Sequence, residues 1–288
     1  MLLGCVRVVI ALFTLLLSGC ITQPMQHDWE TRLRGDAIVL LGEVHDNAEH
    51  HRQRLEVLRR ALASGWRPAL AMEQLDRERQ ADIDRARAEQ PHNAQHVIDT
   101  VALPKGTRGG NWNWDYYRLF IALALEYQLP LIAANLSNAD ISRVVREGYA
   151  AVFDAGTLRR LRLDQPVSPG MQTAQEREID NGHCNVLPAK TLPAMARGQM
   201  ARDAVMADTL ARHAAQGVVL IAGNGHVRRD LGVPQWLSAE LRARTLAVGY
   251  LEHGMTPALD GAFDAVVRTT AIVQTDLCID FKRRVKTQ

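Results

Sequence analysis

Two glycine–histidine steps carry the most chemical promise in this sequence. They are Gly42-Glu43-Val44-His45 and Gly223-Asn224-Gly225-His226, and each directly follows an apolar run, at 37–41 and 218–222. Glycine lets a chain turn sharply and leaves room for a ligand. The imidazole that follows can bind a metal, move a proton or donate to a carboxylate. Both histidines can equally serve only to cap neighbouring helices. The first copy is dense in such groups: Glu43, His45, Asp46, Glu49, His50 and His51. In a helix, Asp46 and His50 share a face, while His51 lies a turn-fraction away and is expected to face solvent. Trp112-Asn113-Trp114-Asp115-Tyr116-Tyr117 gathers two of the five Trp and two of the five Tyr. Flat apolar area with polar tips suits a planar ligand, or a hydrophobic plug at a helix start. Gln199, Arg202, Asp203 and Met206 fall on one helix face. Arg202 can clamp a carboxylate through two N–H groups or make an ordinary ion pair. Motifs of serine hydrolases, P-loops, HExxH metalloproteases and dinucleotide folds are missing from the sequence.

The elements that must position these groups alternate. Apolar runs at 37–41, 69–72, 131–134 and 218–222 read as strands buried on both faces, with two more at 245–248 and 265–267. Helical spacing of Leu55, Leu58 and Leu62 follows the first run, with Asp46 or Asn47 as N-cap and Gly65 as the stop. Helices are also expected at 77–89, 115–128 and 199–214, and the segment between 89 and 115 reads as a polar loop. The pattern predicts an α/β fold: a mainly parallel sheet flanked by helices, with a helical lid insertion at about 138–198. Ligands of such sheets bind beyond the carboxyl ends of the strands. Four strands end there in Glu43/His45, Glu73, Asn135 and His226.

The N-terminus carries a different signal. The apolar stretch 8–17 is shorter than the ~20 residues that span a bilayer. It fits a secretory signal at 1–19, ending in Leu17-Ser18-Gly19-Cys20, which resembles the lipobox of bacterial lipoproteins. Cys20 then becomes the lipidated first residue, with 20–34 as a lipid-anchored tether and 35–288 as the folded domain. A short anchor helix with an incidental Cys is the alternative. Ile21, where an Asp would favour retention at the inner membrane, points by the same resemblance to the periplasmic side of the outer membrane. Removing Cys5 and lipidating Cys20 leaves Cys184 and Cys278, expected to form a disulfide in an oxidising compartment. Two buried thiols remain the alternative, and neither Cys sits in a CxxC metal motif. A net charge of +2 with scattered basic residues gives no nucleic-acid footprint.

Leu41-Gly42-Glu43-Val44-His45-Asp46-Asn47, His50-His51, Trp112-x-Trp114, Tyr117, Ala134-Asn135-Leu136-Ser137, Arg202-Asp203 and Ala222-Gly223-Asn224-Gly225-His226 together resemble the ChaN family of the Tiki superfamily, over about 35–280. His183-Cys184 and Cys278 resemble its lipoprotein branch. The resemblance implies an α/β core with a helical lid. It implies a periplasm-facing protein that binds haem for iron acquisition, a homodimer with haem at its interface, and hand-over to a haem receptor or transporter. Haem ligation by tyrosine in this family points to Tyr116 or Tyr117, since tyrosinate suits ferric iron. Trp114 and His50 join them as haem contacts, with Arg118 and Arg202 available to propionates. The superfamily also holds metal-dependent peptidases. By motif this implies His45, His226, Glu43 and Glu73 as ligands of Zn²⁺, Mn²⁺ or Co²⁺, with Glu43 and Glu73 as the acid–base groups of a hydrolase.

Overall fold

The structure, a computed structural model, describes residues 28–104, 106, 112–254, 261–271 and 278. The signal segment, Cys20 and the tether up to residue 27 lie outside the described residues. All six expected runs are strands: β1 (Ile38–Leu41), β2 (Ala69–Asp76), β3 (Leu131–Asn135), β4 (Val218–Ile221), β5 (Thr245–Glu252) and β6 (Ala265–Thr269). They form one parallel sheet in the order β3-β2-β4-β1-β5-β6.

The strands read as unbroken apolar runs because both faces are covered. Val39, Leu41, Val219 and Ile221 pack on one side against α1 (Ala48–Ala63), α3 (Ala94–Val101) and α4 (Trp114–Glu126). Ile38, Leu40, Val218 and Leu220 pack on the other against Met206 and Leu210 of α8 (Leu192–His213). α2 (Gln80–Glu89) lies beyond β2, and its Gln80 side chain bonds Leu131 O and Ala133 N along the open side of β3. The expected insertion folds as α5 (Asn138–Glu147), α6 (Ala155–Leu161) and α7 (Pro169–Gly182), packed on α8 around Val144, Phe153 and Leu161. Two short helices, α9 (Asn224–Val227) and α10 (Ala239–Ala243), are also present among the described residues. Among the described residues no helix is long and apolar enough to cross a membrane.

Two boundaries differ from the sequence reading. The polar loop after 89 contains α3, whose buried Ala94, Val97, Ile98 and Val101 follow helical spacing behind an Asn93 cap. Polar Gln95, His96, Asp99 and Thr100 masked that stripe. α8 begins at Leu192, not near 199, so the insertion ends earlier. Gly198 sits inside it because α5 presses close: a Cβ there would stand 2.9 Å from Val145 Cγ2. Cys184 and Cys278 are joined in a disulfide, which ties residue 278 to the end of α7.

Candidate functional site

Register decides what meets. Leu41 pairs with Ile221, and Ile221 pairs with Met72, so the residues following β1, β4 and inside β2 emerge side by side at one rim. The two glycine–histidine steps interlock there. Asn224 of the second step lies where a Cβ on Gly42 would stand. Its amide bonds the backbone of Tyr250 in β5, through Nδ2 to Tyr250 O at 2.7 Å and Tyr250 N to Oδ1 at 3.2 Å. Reciprocally, a Cβ on Gly223 would stand 2.9 Å from His45 Cε1 and 3.0 Å from Nε2. Each glycine clears space for a side chain of the other motif. Gly223→Ala is therefore expected to drive the His45 ring off its position and cost about 1–3 kcal/mol. Urea unfolding and the histidine NMR signals check this. A variant with wild-type stability and an unmoved His45 resonance would contradict the packing.

Around the first step a buried polar network forms. Glu43 receives the Tyr117 hydroxyl at 2.6 Å and His45 Nδ1–H at 2.7 Å on Oε1, and Arg54 on Oε2. Arg54 is fully buried and also donates to Leu41 O at 3.1 Å and to His51 Nδ1 at 2.9 Å. His51 donates from Nε2 to His45 O at 2.8 Å, which leaves Nδ1 as the acceptor Arg54 needs. His50 accepts Val44 N–H on Nδ1 at 3.0 Å and meets Thr269 Oγ1 through Nε2 at 2.7 Å. Burial pushes both His50 and His51 down to about 4, so both rings are neutral at physiological pH. Burial also pushes Arg54 down to about 10, which leaves it charged. The Tyr117 phenol is raised above its ordinary range, chiefly by burial. His45 alone reaches the surface, with 43 % of its side chain exposed. Its Nδ1 is spent on Glu43.

The second step closes a separate group. Glu73 Oε2 accepts Gly223 N–H at 2.8 Å, and Oε1 lies 3.3 Å from His226 Nε2. His226 Nδ1 bonds Asp203 Oδ1 of α8 at 2.6 Å. Burial alone would lower the His226 pKa, but Glu73 and Asp203 together raise it to about 10. Burial raises Asp203 to about 6. Burial would raise Glu73 too, but His226, His45 and the Gly223 N–H hold it well below the usual carboxylate range.

Beside these groups opens a cavity of about 260 Å³. Trp112, Trp114, Arg202, Asp76 and Gln74 are among the residues that line it. Trp112 also stands edge-on to His45 at 4.9 Å between ring centroids. Tyr116, half-buried, stacks on His51 at 4.4 Å.

The structure thus gathers His45, Glu43, Glu73, His226, Trp114, Tyr117 and Arg202 at one rim, and it changes several details of the sequence reading. His51 does not face solvent: it is buried beneath Tyr116. His50 is also buried with both nitrogens occupied, so it holds the loop to β6 rather than offering a haem contact. Asp46 is exposed and precedes the helix, whose cap is Asn47. Glu43 and Glu73 sit in two different hydrogen-bonded groups. Among the described residues no three His, Cys, Asp or Glu side chains are arranged to hold a metal ion. Arg202 makes no ion pair among the described residues: it donates to Asn135 Oδ1 at 3.1 Å and Asn138 Oδ1 at 2.7 Å. The sequence reading missed Arg54. Its signal was an arginine within the buried stripe His50, Arg54, Val57, Leu58 and Ala61.

ChaN of Campylobacter jejuni, solved in a structure of cofacial haem binding, superposes with a TM-score of 0.64 at 20 % identity, covering 83 % of this chain and 89 % of that one. The erythromycin esterase EreC in its open conformation gives 0.46 at 13 % identity, covering 81 % and 75 %. The type III effector HopBA1 gives 0.44 at 11 %, covering 84 % and 92 %. No curated protein matches the sequence. The family described as haem-binding uptake, Tiki superfamily, ChaN matches residues 29–237, a span that takes in both glycine–histidine steps, the aromatic wall and Arg202. With those features standing at one rim of the expected parallel sheet, the chain belongs to the ChaN family of haem-binding uptake proteins in the Tiki superfamily.

Proposed function

We propose that this protein binds haem at the carboxyl rim of its sheet, as a lipoprotein anchored through Cys20 on the periplasmic side of the outer membrane and engaged in iron acquisition. Membership of a haem-binding family carries the reading. The rim supports it through a half-buried aromatic row, Trp112, Trp114 and Tyr116, with His45 alongside. The cavity, at about 260 Å³, is smaller than the ~300–1,000 Å³ of sites for drug-sized ligands. A macrocycle must therefore lie across its mouth, where a second copy of the chain can cover the outer face, in line with the cofacial haems named for the Campylobacter protein. Haem would then pass to a receptor or transporter. Arg118, exposed on α4, and Arg202 are the cations available to propionates.

Of the two tyrosines, Tyr116 is the better ligand for ferric iron. The Tyr117 phenol is 1 % exposed, donates to Glu43 and is held protonated by burial. Tyr116→Phe is expected to weaken haemin binding about tenfold or more, the worth of one lost coordinating group at ~1.4 kcal/mol, and to change the visible spectrum. Tyr117→Phe is expected to keep the spectrum and lower thermal stability. Haemin titration of the purified protein checks both. Wild-type protein that leaves the haemin spectrum unchanged ends the haem reading, and an unaltered Tyr116→Phe spectrum ends this choice of ligand.

A second reading, a hydrolase, is favoured by one observation: the half-exposed His45 is held through Nδ1 by a buried Glu43. That pairing suits a base acting on water. The metal-dependent form would need Mn²⁺, Zn²⁺ or Co²⁺ to bind through His45, His226, Glu43 and Glu73. Metal titration with a His226→Ala control tests it, and binding unchanged in that variant would exclude these four as ligands.

A further inference from the structure

The 260 Å³ cavity is lined by one cation, Arg202, and two carboxylates, Glu73 and Asp76. Glu73 is engaged by Gly223 and His226, while Arg202 donates to the neutral oxygens of Asn135 and Asn138 and makes no ion pair among the described residues. Asp76, at the end of β2, has neither a hydrogen bond nor an ion pair through its carboxylate among the described residues. Glu73 and then Asp76 favour the charged form of Arg202; Glu78 disfavours the charged form of Asp76, while Arg202 and Arg79 favour it. Burial works against both charges. Gln74, 5 % exposed, also lines the cavity, with its amide beside the Tyr117 hydroxyl. Trp112, Trp114 and Leu103 supply apolar lining.

We propose that this cavity binds a small zwitterion with an apolar body, an α-amino acid. Its carboxylate meets Arg202, its ammonium meets Asp76, and its side chain rests against the tryptophans. A plain anion would satisfy Arg202 but bring a second negative charge beside Asp76 and Glu73. A plain cation would meet the reverse difficulty at Arg202. Only a ligand with both charges answers both groups, and the volume suits one amino acid rather than a macrocycle. Such a ligand would use the same Arg202 and tryptophans that the haem reading assigns to haem, so the two ligands would compete for one site.

Calorimetry on the purified full chain tests it with three probes of one shape: leucine, isopentylamine lacking the carboxylate, and 4-methylpentanoic acid lacking the ammonium. Leucine is expected to bind, and each half-molecule at least about tenfold more weakly, the loss of one charge-assisted contact at ~1.5–3 kcal/mol. Arg202→Gln is expected to abolish the advantage of leucine over isopentylamine, and Asp76→Asn its advantage over 4-methylpentanoic acid. Heats absent for all three probes in the wild type would mean that water alone bridges the two groups, and would overturn the proposal. Equal binding of 4-methylpentanoic acid would overturn it in favour of a simple carboxylate subsite, as a propionate would use. Equal binding of isopentylamine would overturn it in favour of a cation site.

Discussion

Replacing Arg54 with methionine is expected to destabilise the protein by about 3–5 kcal/mol, the cost of removing one partner from a buried ion pair. The melting temperature should fall by about 6–20 °C, at ~2–4 °C per kcal/mol for a domain of this size. Arg54 is fully buried at the centre of α1's inner face, and its guanidinium serves Glu43, Leu41 O and His51 at once. Methionine fills much of the volume but supplies no donor. Glu43 would keep only Tyr117 and His45, and the carbonyl that ends β1 would lose its partner. Glu43→Gln should also destabilise. The double variant Arg54→Met/Glu43→Gln should then cost less than the two single effects added, because the buried charge is gone along with its counter-charge. Urea unfolding of the four proteins settles the matter. A loss under about 1 kcal/mol for Arg54→Met, or strict additivity in the double variant, would show that the pair does not hold the rim together.

Stability should also fall by on the order of 3 kcal/mol as pH rises from 7 to 10, and His226 should be the main cause. Its folded pKa of about 10 lies above the ordinary imidazole value of 6.5. Below that ordinary value the ring is charged in both folded and unfolded chains, and the full benefit of Glu73 and Asp203 is present. Above it the unfolded chain releases the proton while the folded protein must keep it, so the benefit drains away up to about pH 10. Asp203 acts in the same direction at lower pH. Burial raises it to about 6, so its contribution is complete below its ordinary 3.8 and lost as pH rises towards 6. Glu73 opposes this at the acid end: its depressed pKa gives stability above about 4.5 that is lost on acidification. Unfolding free energies at pH 6, 7, 8, 9 and 10 for wild type and His226→Gln measure the effect. Matching slopes in the two proteins above pH 7 would rule out His226 as the source.

Much of the architecture follows from local pattern. Six apolar runs become six strands because a strand covered on both faces needs apolar side chains at every position, and no helical stripe looks like that. The Asn47 cap and the stop at Gly65 are equally local, resting on side-chain acceptors and a positive φ of 95°. The helix at 94–101 was obscured because its exposed face is as polar as a loop. The rim residues could be nominated from strand ends alone, since chain direction fixes which end of a parallel strand they occupy.

What each of them does was not local. His45 and His226 carry the same motif, yet one is a half-exposed ring held by a single carboxylate, and the other a buried cation between two. That difference arises from strand order, which sets Glu73 beside Gly223, and from α8, which brings Asp203 from outside the sheet. Likewise the two adjacent tyrosines look interchangeable in sequence. Helix geometry turns Tyr117 inward to Glu43 and leaves Tyr116 on the surface of His51. The sequence by itself determined the sheet, its direction and the residues at its rim, because those depend on side-chain polarity along one stretch of chain. The tertiary structure alone decided the charge state and exposure of each rim group, because a pKa and a buried hydrogen bond depend on neighbours that the chain supplies from tens of residues away.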